Sequence, residues 1–131
     1  MPRELKKIIL VDDNNTNLVA CKKILKPYYE IFPTPSAEKM FKLMEHVIPD
    51  LILLDVEMPE TNGYEAARML KAKEEYKNIP IIFLSARDDP VSEQFGLNLG
   101  AIDYIHKPVV SSELLSRIEE HLSKNSTEAE T

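Results

Sequence analysis

Ile8-Ile9-Leu10-Val11-Asp12-Asp13 is a short apolar run, mostly β-branched, that stops on two acids. The same arrangement returns three times. Leu51-Ile52-Leu53-Leu54 stops on Asp55, Ile81-Ile82-Phe83-Leu84 stops on Ser85, and Ile102 to Ile105 is followed by Lys107-Pro108. Continuous apolar runs of this length read as strands buried on both faces, as in a parallel sheet. In open α/β sheets the ligand crevice lies beyond the carboxyl ends of the strands. Three carboxylates, one hydroxyl and one ammonium are therefore expected at a single rim, and that is the composition of a phosphoryl site.

Between the runs the spacing turns helical. Leu18, Cys21, Ile24 and Leu25 share one helix face, with Asn15 or Thr16 as its cap and Pro27 as its end; Tyr28 to Phe32 reads as the second strand. Ser36 caps a helix that keeps Ala37, Met40, Phe41, Met44 and Val47 to one side. A loop from Glu57 to Gly63 leads into a third helix, from about Tyr64 to Glu75. Asp88 to Leu99 is a weaker helix with Val91, Phe95 and Leu99 as its face, and Gly100 ends it. Ser111 or Ser112 caps the last helix, which turns Leu114, Leu115, Ile118 and Leu122 inward. Asn125 to Thr131 is polar and aperiodic, and is expected to be a disordered tail. Five strand-helix units in alternation argue for one α/β domain, a parallel sheet with helices on both faces and right-handed crossovers. Five units are too few to close an eight-unit barrel.

Composition narrows the function classes. The chain has 131 residues, enough for one domain with its own core. A 44% hydrophobic and 29% charged composition is that of a globular protein. No apolar run approaches the roughly 18–20 residues that cross a bilayer, so no membrane association is expected. Met1 to Lys7 is polar and leads straight into a strand, so no signal peptide is expected. Cys21 is alone, cannot form an internal disulfide and fits a reducing, cytoplasmic setting. Sixteen basic against 22 acidic residues leave a net charge of -6. With no basic stripe interleaved with aromatics, direct nucleic-acid binding is not expected.

Asp12, Asp13 and Asp55 would repel one another. Two carboxylates about 4 Å apart cost roughly 4 kcal/mol at an effective dielectric near 20, so the cluster needs a proton, a lysine or a metal ion. All-oxygen ligation suits Mg²⁺ or Mn²⁺ and argues against zinc, which would take His or Cys. None of His46, His106 and His121 falls in the cluster; all three read as surface residues. A carboxylate beside such a metal, a lysine and a hydroxyl is placed to attack phosphorus and hold an aspartyl phosphate.

Ile8 to Asp13, then Leu53-Leu54-Asp55-Val56-Glu57-Met58-Pro59 with Gly63, then Leu84-Ser85-Ala86, then Gly100 to Pro108 follow in order along nearly the whole chain. Each motif alone is weak, but the four in sequence resemble the two-component response-regulator receiver domain, of the chemotaxis-regulator-like kind. The resemblance implies a flavodoxin-like doubly wound (βα)5 fold with strand order 2-1-3-4-5, a receiver over 1–124 and a tail over 125–131. It implies Asp55 as phosphoacceptor, with Asp13 and Asp55 as direct Mg²⁺ ligands, Asp12 as a water-mediated one and Glu57 through its backbone carbonyl. Lys107 would pair with the phosphoryl oxygens and precede a cis proline, Ser85 would be the switch hydroxyl and Tyr104 the switch aromatic. Val109 departs from the pattern, standing where an aromatic is more usual.

The implied function is a phosphorelay switch rather than an enzyme. A histidine kinase or phosphotransfer domain would supply the phosphoryl group, Ser85 would move toward it and Tyr104 would turn inward. A downstream effector would read the change on the fourth helix, fifth strand and fifth helix. The chain is expected to be a monomer, with a phosphorylation-dependent dimer suggested by Asp103 and Arg117 but not by Glu93, which stands where a base is frequent. Glu57 and Arg87, of opposite charge, are expected to face each other across the mouth of the pocket. Two alternatives fit less well. An aspartate-nucleophile phosphohydrolase of the haloacid-dehalogenase kind would place an Asp-x-Asp nucleophile after the first strand, and here Asp55-Val56-Glu57 comes later and lacks the second Asp. A non-phosphorylated docking receiver would lack the acceptor or the lysine, and both are present.

Overall fold

The computed structural model describes residues 5–87 and 89–123 in full and 124–130 by backbone alone, so the side chains of the expected tail at 125–131 lie outside the described part. Strands β1 (Lys7–Val11), β2 (Glu30–Thr34), β3 (Leu51–Asp55), β4 (Ile81–Ser85) and β5 (Asp103–His106) run parallel in the order β2-β1-β3-β4-β5. Helices α1 (Asn15–Leu25), α2 (Ala37–Leu43), α3 (Gly63–Lys71), α4 (Pro90–Asn98) and α5 (Ser111–Glu130) alternate with them. This is the flavodoxin-like order expected from the resemblance. The topology puts the ends of β1, β3, β4 and β5 side by side on one rim.

The continuous apolar runs belong to strands covered on both faces. Every residue of β3 and β4 is buried. Successive side chains alternate between two layers. Ile9, Val11, Ile52, Leu54 and Phe83 pack with Met40, Ala66 and Leu70 of α2 and α3. Ile8, Leu10, Leu53, Ile82 and Leu84 pack with Leu18, Cys21, Leu114 and Ile118 of α1 and α5. Burying one such aliphatic side chain contributes about 1.5–3 kcal/mol, so the central strands anchor the rim. Among the described residues, no helix is long and apolar enough to cross a membrane.

Local boundaries depart from the sequence reading where backbone hydrogen bonds decide them. Asn14, not Asn15 or Thr16, caps α1 by accepting the N–H of Asn17. β2 starts at Glu30, two residues late, because the N–H groups of Tyr28 and Tyr29 close a turn onto Leu25 and the ladder begins with Glu30 N–H on Lys6. Pro33 sits inside β2, which an edge strand tolerates. α3 stops at Lys71 rather than Glu75, after which Lys73 and Tyr76 bond in turns. Ser36 caps α2 as expected. In α5 the Leu114 N–H bonds the Val110 carbonyl, which places Ser111 inside the helix and not at its cap.

α4 departs most. Its expected face does not form, since Val91 is 78% and Phe95 45% exposed, and of the three only Leu99 packs on the core. Gly96 is the residue that α4 buries, against the rings of Phe83 and Tyr104.

Candidate functional site

Asp12 follows the last residue of β1, Asp55 and Ser85 end β3 and β4, and Lys107 follows β5. Asp12, Asp55 and Ser85 are buried while Asp13 is exposed. One oxygen of each of the three carboxylates lies within 4.8 Å of the others. Lys107 reaches in from β5, its Nζ donating to Asp55 Oδ1 at 2.7 Å and to Asp12 Oδ2 at 2.9 Å. Its backbone N–H donates to the Ser85 carbonyl at 2.8 Å, which fixes the lysine to the end of β4. The Lys107–Pro108 peptide is cis, as the resemblance implied. Asp12 also accepts the Asn14 N–H at 2.9 Å, so the acid that ends β1 orders the start of α1.

The electrostatics follow from this crowding. Burial raises the Asp55 pKa to about 6; Lys107 opposes the rise, and Asp12 and Asp13 add to it. Burial pulls the Lys107 ammonium down, but its hydrogen bonds to Asp55 and Asp12 outweigh that and hold it above the usual lysine range. The lysine is therefore a fixed positive charge at working pH, and Asp55 is a carboxylate short of compensating charge. Cys21 lies buried nearby; burial first and Asp12 second push its thiol up, which keeps it an unreactive part of the core.

The loop after Asp55 is held close. Gly63 donates its N–H to Val56 at 2.8 Å, and a Cβ there would collide with the Asp55 carbonyl oxygen. Asn62 and Glu65 then form a capping box on α3. Glu57 and Arg87 do face each other, with Arg87 Nε 3.2 Å from Glu57 Oε1 and both side chains about half exposed. Arg87 is engaged twice more: its N–H donates to Ser85 Oγ at 3.0 Å and its carbonyl meets His106 Nδ1 at 3.1 Å. Tyr104 lies inward, 1% exposed, while Ser85 Oγ is engaged with Arg87. The expectation had tied the inward ring to a Ser85 that had moved to the acceptor; here an inward ring and an Arg87-held Ser85 coexist.

Three features escaped the sequence reading. Tyr64, half-buried in the first turn of α3, bonds the Tyr104 hydroxyl at 3.3 Å. His106 joins Arg87. His121, expected at the surface, and Arg117 both grip Asp103, with Arg117 Nη1 at 2.6 Å and His121 Nε2 at 3.0 Å. The pair Asp103 and Arg117 is thus satisfied within one chain.

The comparisons agree with this geometry. The family model described as "Response regulator receiver domain" matches residues 8–119. The Vibrio cholerae protein named "Probable cyclic di-GMP phosphodiesterase" is 38% identical over 115 residues, 88% of this chain and 26% of its own length. The sensory transduction protein BceR of Halalkalibacterium halodurans is 33% identical over 114 residues, 86% of this chain and 48% of its own. The receiver domain of a signal transduction histidine kinase from Syntrophus aciditrophicus superposes with a TM-score of 0.82 at 32% identity, covering 91% of each chain. The chain spans between 18% and 50% of the length of such curated relatives. By the ordered strand-end motifs, the sheet order and this match over most of its length, the chain belongs to the response regulator receiver domain family.

Proposed function

We propose that this chain is a phosphoacceptor switch in which Asp55 receives a phosphoryl group from a phosphohistidine on a histidine kinase or a phosphotransfer domain. The observation that carries the reading is the Lys107 ammonium set 2.7 Å from the Asp55 carboxylate inside a cluster of three acids. Asp55 attacks phosphorus in line, the new O–P bond forms as the N–P bond breaks, and the imidazole keeps the electron pair. Lys107 offsets the charge that develops on the phosphoryl oxygens. Ser85 offers its hydroxyl to the product, and the side chain of Arg87 lies beside the entry path.

The donor set is all oxygen, which fits a hard divalent cation. Asp13 and Asp55 would hold Mg²⁺, or Mn²⁺, directly, Asp12 through water, and Glu57 through its backbone carbonyl. When bound, the ion would neutralise the acid cluster and orient the phosphoryl oxygens.

The acyl phosphate adds about -1.5 to -2 charge at the rim, by analogy with other phosphorylated side chains. We read the output surface as α4, β5 and α5, where Val91 and Phe95 are exposed. The receiver is assigned to 1–124 and the tail to 125–131, in a cytoplasmic setting, with an effector protein or attached domain as the reader. The module is regulatory and assists only its own phosphorylation and dephosphorylation. It works as a monomer, and dimers on phosphorylation would first have to break the internal Asp103–Arg117 pair.

Incubation with acetyl phosphate and Mg²⁺ tests the reading. One base-labile phosphoryl group per chain is expected, with none on Asp55→Asn. Stoichiometric uptake by Asp55→Asn would reject the assignment.

A further inference from the structure

Tyr64 takes no part in the phosphoryl chemistry, yet it stands where three elements meet. From the first turn of α3 its hydroxyl lies 3.1 Å from the Ser92 carbonyl oxygen in α4 and 3.3 Å from the Tyr104 hydroxyl in β5. Its ring meets Phe83 edge-on at 5.1 Å and Phe95 at 4.9 Å. Proton counting sets the direction of both hydrogen bonds. A carbonyl oxygen only accepts, so the single Tyr64 proton goes to Ser92, and Tyr104 must be the donor to Tyr64. Burial pushes the Tyr64 hydroxyl above the usual phenol range, so it stays a donor at working pH.

Tyr104 is 1% exposed, and a buried phenol needs a partner for its hydroxyl. Turned outward the hydroxyl would meet water; turned inward it meets Tyr64. The inward ring therefore depends on an acceptor supplied from α3, and that acceptor is itself tied to α4.

We propose that Tyr64 is a positioning residue of the switch, which accepts the Tyr104 hydrogen bond to hold that ring inward and links the same state to the first turn of α4 through Ser92. The inference deepens the phosphoacceptor reading and rests on it for its consequence, that the ring state is what a partner senses.

Tyr64→Phe and Tyr104→Phe, singly and together in the full chain, test it. Both substitutions keep the rings and their edge contacts. Nuclear Overhauser contacts between the ring at 104 and Gly96 report the inward state, since a Cβ on Gly96 would lie 3.2 Å from Tyr104 Cδ2. Tyr64→Phe leaves the Tyr104 hydroxyl without its acceptor and should lower the inward-to-outward ratio by about two- to tenfold, whereas Tyr104→Phe removes the hydroxyl that needs one and should keep the ring inward. The double substitution should match Tyr104→Phe, because without the hydroxyl at 104 the loss of the Tyr64 acceptor has nothing left to remove. Contacts at full strength in Tyr64→Phe, or single effects that simply add, would overturn the proposal. Phosphoryl uptake by wild type is read separately. Its absence would overturn the phosphoacceptor reading, whereas unchanged contacts in Tyr64→Phe overturn the latch alone.

Discussion

Helices α3 and α4 are both nine residues long, and each follows a loop that leaves the rim beside Asp55. α3 begins with a capping box and buries Gly63, Ala66, Ala67 and Leu70. α4 has the single cap of Asp89, buries Gly96, leaves Val91 largely exposed and covers Phe95 only in part. A helix with few buried contacts lies at the low-stability end of its domain, where moving elements are found. The contrast divides the labour around Asp55. On the proposed phosphoacceptor reading, one helix would fix Asp55 and the other would be free enough to report on it.

Glycine substitutions break the comparison most sharply. Alanine at 63 would set its Cβ against the Asp55 carbonyl and 2.8 Å from Val56 Cα, backbone atoms that cannot swing aside. Urea unfolding of Gly63→Ala should show a loss of about 3 kcal/mol, with slower phosphoryl uptake. Alanine at 96 meets ring edges, 3.0 Å from Phe83 and 3.2 Å from Tyr104, and gains helix propensity worth about 1 kcal/mol. Its net loss should stay within about 1 kcal/mol. Equal losses would mean that α4 is built as tightly as α3.

The acid cluster gives the next effect. Because the folded pKa of Asp55 is raised to about 6, its contribution to stability is fully present below the ordinary carboxylate pKa and is lost as pH rises through 6. Asp55→Asn should therefore gain on wild type by about 1 kcal/mol between pH 5 and pH 8, read from denaturant midpoints. Mg²⁺ should stabilise wild type over the same range and do much less for the variant. A pH-independent difference would mean that the cluster does not strain the folded rim.

The smallest effect belongs to the bridge between the two loops. Glu57 and Arg87 are about half exposed, so their pairing is worth about 0.2–1 kcal/mol. If that contact must open before water reaches the phosphoryl group, it slows autodephosphorylation roughly 1.4- to 5-fold. Arg87→Ala, Glu57→Ala and the double variant should therefore show non-additive rates. Strict additivity of the logarithms would show that the pair does not act as a gate.

The charged half of the site was legible because it needs little tertiary knowledge. A fully buried run must stop where polar residues begin, and parallel strands put those stops on one rim. That placed Asp12, Asp55, Ser85 and Lys107 together, and the resemblance supplied their roles. The start of β2 was missed because Tyr28 and Tyr29 have strand-like composition, while the turn that Lys26-Pro27 imposes engages their N–H groups. α4 was misread for a related reason. Val91, Phe95 and Leu99 have the spacing of a buried face, but the helix lies close over two aromatic rings and sets Gly96 against them instead. Tyr64 could not be found at all from spacing, since its partner Tyr104 lies 40 residues away in another element.

Hydrogen exchange along the chain, with and without beryllofluoride and Mg²⁺ as the aspartyl-phosphate mimic, tests the central claim most directly. Occupancy of Asp55 should change protection in residues 90–98 and the preceding loop by several-fold and leave 63–71 nearly unchanged, with no response in Asp55→Asn. A change concentrated in 63–71, or an equal response from Asp55→Asn, would contradict it.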